Sequence, residues 1–154
     1  MEPEDISKKA SNPKDEVSNS KLHFELVPDS LGAYAAVAFT EGALKYGRYN
    51  WRVAGARSSV YRAALDRHIT KWWNGEEEDP DTGVPHLAYA LACIGIIIDA
   101  EMSGRLIDDR PPSQPAYPPL LHLLSGVTAD LQKKFKDQSP RQYTIHDTPE
   151  DSGS

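Results

Sequence analysis

From His86 to about Ser103 the chain is apolar on nearly every side of a helix, through Leu87, Ala88, Ala90, Leu91, Ile94, Ile96, Ile97 and Ile98. No other stretch limits the possible folds so strongly, because a helix without a polar face has to be surrounded. The apolar run Leu87 to Ile98 is too short to cross a bilayer, which takes about 20 residues, so the helix belongs in a protein core. Few other elements are available to cover it. Self-association is therefore expected from the sequence itself.

The rest of the chain supplies three further helices. Leu31 to Tyr46 repeats apolar or small residues at Leu31, Tyr34, Ala35, Ala38 and Gly42, with Asp29-Ser30 as N-cap candidates and Gly47 as terminator. Glu41 and Lys45 stand one turn apart on it. A second helix is capped by Ser58 or Ser59, shows Tyr61, Leu65, His68 and Trp72 along one face, and ends at Asn74-Gly75. The apolar helix is third, with Pro85 in its first turn. Asp108 to Pro119 holds five prolines and reads as a linker. Beyond it Leu120, Leu124, Val127, Leu131 and Phe135 mark a fourth, amphipathic helix. Leu22 to Pro28 alternates like a short extended lead-in.

The ends are different. Residues 1–20 and 138–154 are rich in Lys, Glu, Asp, Ser and Pro and poor in apolar side chains, so both are expected as disordered arms around a folded part over 21–137. With a net charge of −6 and no run of Lys or Arg, the chain does not read as a general nucleic-acid binder. A small anionic substrate stays compatible, since metal ions mask an acidic field locally. A single cysteine, Cys93, excludes an intramolecular disulfide, and no basic-then-apolar leader is seen, so a cytoplasmic location is expected.

The chemistry concentrates between Arg62 and His86. Antiparallel second and third helices would share an end there and bring His68, Glu76, Asp79 and His86 to one mouth, with Arg62, Arg67 and Lys71 nearby. Glu76 and Asp79 are spaced i, i+3, and carboxylates suit Mg²⁺ and Mn²⁺, with imidazole acceptable to Mn²⁺. Each residue also has a plainer reading. Asp79-Pro-Asp-Thr-Gly83 is ordinary turn chemistry, His68 fits a core, and Trp72-Trp73 fit packing alone. Convergence favours the metal reading. The loop Arg48-Tyr49-Asn50-Trp51-Arg52 suits a planar ligand and a core edge equally well.

Tyr46-Gly47-x-x-Asn50-Trp51, followed by Arg67-His68-x-x-x-Trp72-Trp73-x-Gly75-Glu76-x-x-Asp79-x-x-Thr82-Gly83-x-Pro85-His86-Leu87-Ala88, resembles the phage dATP/dGTP diphosphohydrolase family, over about 22–104. That family belongs to the MazG-like all-α nucleoside triphosphate pyrophosphohydrolases, and the closest resemblance is to the MazZ type. The resemblance implies a MazG-like four-helix bundle protomer in a homo-oligomer, often a tetramer. It also implies hydrolysis of a purine (d)NTP, dGTP or GTP first, to the monophosphate and pyrophosphate with two or more Mg²⁺ or Mn²⁺ ions. In the MazZ type the reaction shapes the nucleotide pool of phages that use 2-aminoadenine. One departure stands out: MazG proteins carry Glu-x-x-Glu and Glu-x-x-Asp on helices, whereas here His86 and Tyr89 fall where the second pair would be.

On this reading Glu76, Asp79 and Glu41 are the catalytic and metal-binding carboxylates, with His68 and His86 as further ligands. Lys45, Arg62 and Arg67 would offset phosphate charge, and Tyr46, Asn50, Trp51 and Trp72 would stack on or hydrogen-bond the base. Two rivals remain. One is a dNTP hydrolase of another preference or type, either directed at dATP or a histidine/aspartate phosphohydrolase that removes the whole triphosphate and needs an adjacent His-Asp pair, for which His146-Asp147 is the one present. A non-enzymatic helical interaction module would need only the apolar helix and the charged arms.

Overall fold

The computed structural model describes residues 13–14 and 20–150. Most of the expected N-terminal arm lies outside the described residues. Helix α1 runs Asp29–Tyr46, α2 Trp51–Ala54, α3 Ser58–Trp73, α4 His86–Met102 and α5 Tyr117–Lys134, with two short strands, β1 Ala56–Arg57 and β2 Leu106–Ile107. Among the described residues no helix is long and apolar enough to cross a membrane.

The core forms where α1 and α3 pack on α4. Small side chains set its character: Ala38, Val84, Ala88 and Ala92 make one buried cluster, edged by Phe39 and Tyr89. Alanine leaves room for helix backbones to approach closely while keeping high helix propensity. Opposite those contacts α4 stays uncovered, with Ile94, Ile98 and Met102 exposed. The apolar helix is thus surrounded on part of its circumference only.

Helix ends follow local chemistry, with corrections. Asp29 lies inside α1 rather than capping it, because Pro28 takes the cap position with extended ψ and makes no side-chain cap bond. Gly75, at φ 93°, ends α3 as expected and donates its N–H to the Trp72 carbonyl at 3.0 Å. Helix α3 begins at Ser58 with Arg57, rather than either serine, in the cap position. Its start is capped from fifty residues away: Asp109 accepts the Ser59 N–H at 2.8 Å and the Ser59 hydroxyl at 2.6 Å. The lead-in before Pro28 is a 3-10 turn over Phe24–Leu26, not an extended segment.

The strands form a two-rung parallel pair, Ala56 with Leu106 and Arg57 with Ile107. They close a unit of three long helices. Beyond it α5 buries none of its residues, and Leu120, Leu124, Val127 and Leu131 remain about half exposed. The expected four-helix bundle is therefore three helices within one protomer. The expected disordered tail includes a 3-10 turn, Ile145–Asp147, capped by Thr144. That turn sets Ile145 against Gly75, where an added Cβ would come within 2.9 Å of Ile145 Cδ1.

Candidate active site

The turn between α3 and α4 brings carboxylate, imidazole and phenol together as the sequence suggests. His86, at the first position of α4, has no solvent exposure. Its Nε2 lies 2.7 Å from Glu76 Oε1, and its Nδ1 lies 3.0 Å from His68 Nδ1. The hydrogen bonds to His86 and Lys71 hold the Glu76 carboxyl below its usual range, so it is ionised and only accepts. Both ring nitrogens of His86 thus have a partner, with Glu76 accepting at Nε2. His68 Nε2 has no hydrogen-bond partner among the described residues.

Burial, followed by the neighbouring His86, Lys71 and Arg67, pushes the His68 pKa down, against a smaller upward pull from Asp79. His68 is therefore neutral near pH 7. Its ring stacks on Tyr89, with centroids 4.6 Å apart and planes 20° from parallel. The Tyr89 hydroxyl meets Thr82 Oγ1 at 2.9 Å. Thr82 leads back to Asp79, whose Oδ1 accepts the backbone N–H groups of Asp81 at 3.0 Å and Thr82 at 3.2 Å. Asp79 thus holds its own turn with one oxygen, and those bonds lower its pKa.

A second group faces the same helix from α1. Glu41 is paired one turn on with Lys45, whose ammonium meets the solvent-shielded Oε1. That pairing raises the Lys45 pKa. Lys45 interacts electrostatically with Tyr89 and Tyr46, and Tyr61 of α3 with Cys93 and Tyr46. These influences place Glu41, Lys45 and Tyr46 of α1 near Tyr89 and the His68, Glu76 and Asp79 network, a polar seam between α1 and α3 along the N-terminal half of α4 that we term the groove. Tyr89 and Thr82, given only as motif positions by the sequence, join its parts. Their signal was the Thr82-to-Tyr89 spacing across a turn.

Other expected site residues lie elsewhere. Arg62 is exposed and pairs with Asp66 at 2.9 Å. Arg67 is exposed and touches the site through its charge alone. Trp72 is half-buried beside Trp73 near the end of α3. Trp51 is on the other side of α4, where its indole N–H donates to Asp99 Oδ2 at 2.6 Å, and Asn50 precedes it. The base-contact candidates therefore divide between two places.

The donors fit a hard divalent cation in kind: carboxylates of Glu41, Glu76 and Asp79, and a ring nitrogen of His68 without a hydrogen-bond partner among the described residues. Among the described residues, no three or more His, Cys, Asp or Glu side chains are grouped as a ready metal site. The rival His146-Asp147 pair is a capping turn, with Asp147 accepting from the Thr144 N–H at 2.9 Å and paired with Arg141.

The family model for the dATP/dGTP diphosphohydrolase N-terminal domain matches residues 11–110. No curated protein and no solved structure matches the chain.

Proposed function

Because the chain belongs to the dATP/dGTP diphosphohydrolase family, a family of hydrolases acting on nucleoside triphosphates, we propose that it converts a purine (d)NTP to the (d)NMP and pyrophosphate in the α1–α3 groove. One observation carries this reading. All the groove's carboxylates, imidazoles and phenols, from Glu41 to Tyr89, fall inside the stretch that matches the family.

Glu41, Glu76 and Asp79, with His68, would hold two or more Mg²⁺ or Mn²⁺ ions. When bound, such ions offset the charge of the phosphate oxygens and lower the pKa of a coordinated water. The chain's own residues do the rest. His86 fixes the Glu76 carboxylate and the His68 tautomer together, so neither side chain turns alone. Lys45 and Lys71 add positive charge beside the phosphates. Tyr46 and Trp72 are the stacking candidates that remain near the groove.

The preferred substrate in this reading is dGTP or GTP, with dATP as the alternative, and the role is to shape a phage nucleotide pool in the MazZ manner, in the host cytoplasm. The exposed Ile94, Ile98 and Met102 on α4 and the bare stripe of α5 favour a homo-oligomer, for which a tetramer is the proposal. The test is a panel of dNTPs and NTPs with Mg²⁺ or Mn²⁺, products separated by chromatography. Purine monophosphate with pyrophosphate is expected. Tripolyphosphate, or no product from any nucleotide, would sink the proposal.

A further inference from the structure

The face of α4 turned toward α1 and α2 carries a cavity that groove chemistry does not use. Its volume is about 550 Å³, and Phe39, Arg48, Tyr49, Trp51, Gly95 and Asp99 are among its walls. Small-molecule sites span roughly 300–1,000 Å³. By helical rise, Asp99 lies thirteen residues and about 20 Å along α4 from His86.

The aromatic walls are held in place. Trp51 cannot turn without losing its bond to Asp99, and Arg52 fixes that carboxylate with two further bonds, at 2.7 and 2.8 Å. Tyr49 sits at φ 55°, a left-handed conformation that costs a residue with a side chain about 1–3 kcal/mol and persists where the surroundings enforce it. The Arg52 guanidinium covers its ring at 4.6 Å. Phe39 presses on Gly95, where a Cβ would stand 3.2 Å from its ring.

The walls also define a ligand. Phe39 and Tyr49 each pack on Trp51 at 5.6 Å, tilted 50° and 53°, and this aromatic cluster forms one wall of the cavity. Asp99 is fully engaged by Arg52 and Trp51 and repels nothing that enters. Arg48 is exposed and has no hydrogen-bond or salt-bridge partner among the described residues. One unpaired guanidinium beside aromatic walls suits a planar heteroaromatic ring bearing a single phosphate.

We propose that this cavity is a second nucleotide site, separate from the hydrolytic groove, which takes a purine nucleoside monophosphate with its base among Phe39, Tyr49 and Trp51 and its phosphate on Arg48. The choice of a purine rests on the reaction proposed above, whose product it would be. A triphosphate would bring more charge than one arginine can offset, and no carboxylate there is free to share a cation with it.

Isothermal titration of the full chain in EDTA with dGMP, dAMP and dCMP tests the site without turnover, so it succeeds or fails independently of the hydrolysis assay. Saturable binding of the two purines is expected, at least tenfold tighter than dCMP. Arg48→Glu and Tyr49→Ala, each checked by circular dichroism, should weaken it tenfold or more, and Glu76→Gln should leave it unchanged. Unchanged binding in both cavity variants, loss in Glu76→Gln, equal binding of dCMP, or no binding of any monophosphate would each overturn the proposal.

Discussion

The two sides of α4 use the same kinds of residue to opposite ends. On the side toward α2, Asp99 accepts from both arms of Arg52 and from Trp51, and these bonds hold its carboxyl down to about 2. Every oxygen there is engaged. On the other side Glu41 is held by Lys45 and Glu76 by His86 and Lys71, while His68 Nε2 has no hydrogen-bond partner among the described residues. A carboxylate locked at both oxygens by an arginine and an indole suits a structural part. Carboxylates paired with flexible lysines beside an open imidazole nitrogen can still take a cation.

That contrast is open to attack by mutation. Glu41→Gln and Glu76→Gln should lower turnover by about 10²-fold or more with helical circular dichroism intact, as expected for groups acting on the reacting centre. Asp99→Asn should chiefly lower the melting temperature. A large loss of turnover in Asp99→Asn at an unchanged melting temperature would erase the distinction. His86→Ala should cost about 1–3 kcal/mol in denaturant unfolding, because it removes a fully buried side chain and leaves the half-buried His68 without its partner. Gly55→Ala should cost about 1–2 kcal/mol, since Gly55 sits at φ 83° and a Cβ would meet the Arg105 carbonyl oxygen at 2.9 Å.

Acid reaches His68 before the carboxylates of either side. The His68 pKa lies below its ordinary 6.5 in the fold, so the unfolded chain binds the proton first, and stability declines as pH falls below 6.5. The carboxylates of Glu76, Asp79 and Asp99 are depressed from 4.5, 3.8 and 3.8, so their contribution is present above those values and is lost as pH falls further. Unfolding midpoints followed from pH 8 to 3 should show the two steps, and His68→Gln should remove only the upper one. The smallest effect is expected at Gly95→Ala, where gained helix propensity of up to about 1 kcal/mol opposes a tight contact with Phe39.

The sequence carried the α3–α4 turn well. Gly75 ends α3, Pro85 precedes α4, and both impose backbone geometry that neighbours cannot override, so His68, Glu76 and His86 had to meet. Longer-range partners were not legible. A two-residue strand such as Ala56–Arg57 has no period to detect, and Asp109 capping Ser59 joins positions that no local pattern links. Trp51 and Trp72 look alike as aromatics, and only the packing around α4 assigns them to different sides. The fourth helix was found by its stripe, but a stripe states that a face wants cover and not whose cover it receives.

The two-rung ladder between Ala56–Arg57 and Leu106–Ile107 also decides how the molecule bears load. Around it Asp109 pairs with Arg57 at 3.5 Å and Ser58 donates to the Ile107 carbonyl at 3.3 Å. A pull through α5 meets this clasp before it reaches α4, while the Ile145 contact with Gly75 fastens the far tail to the end of α3.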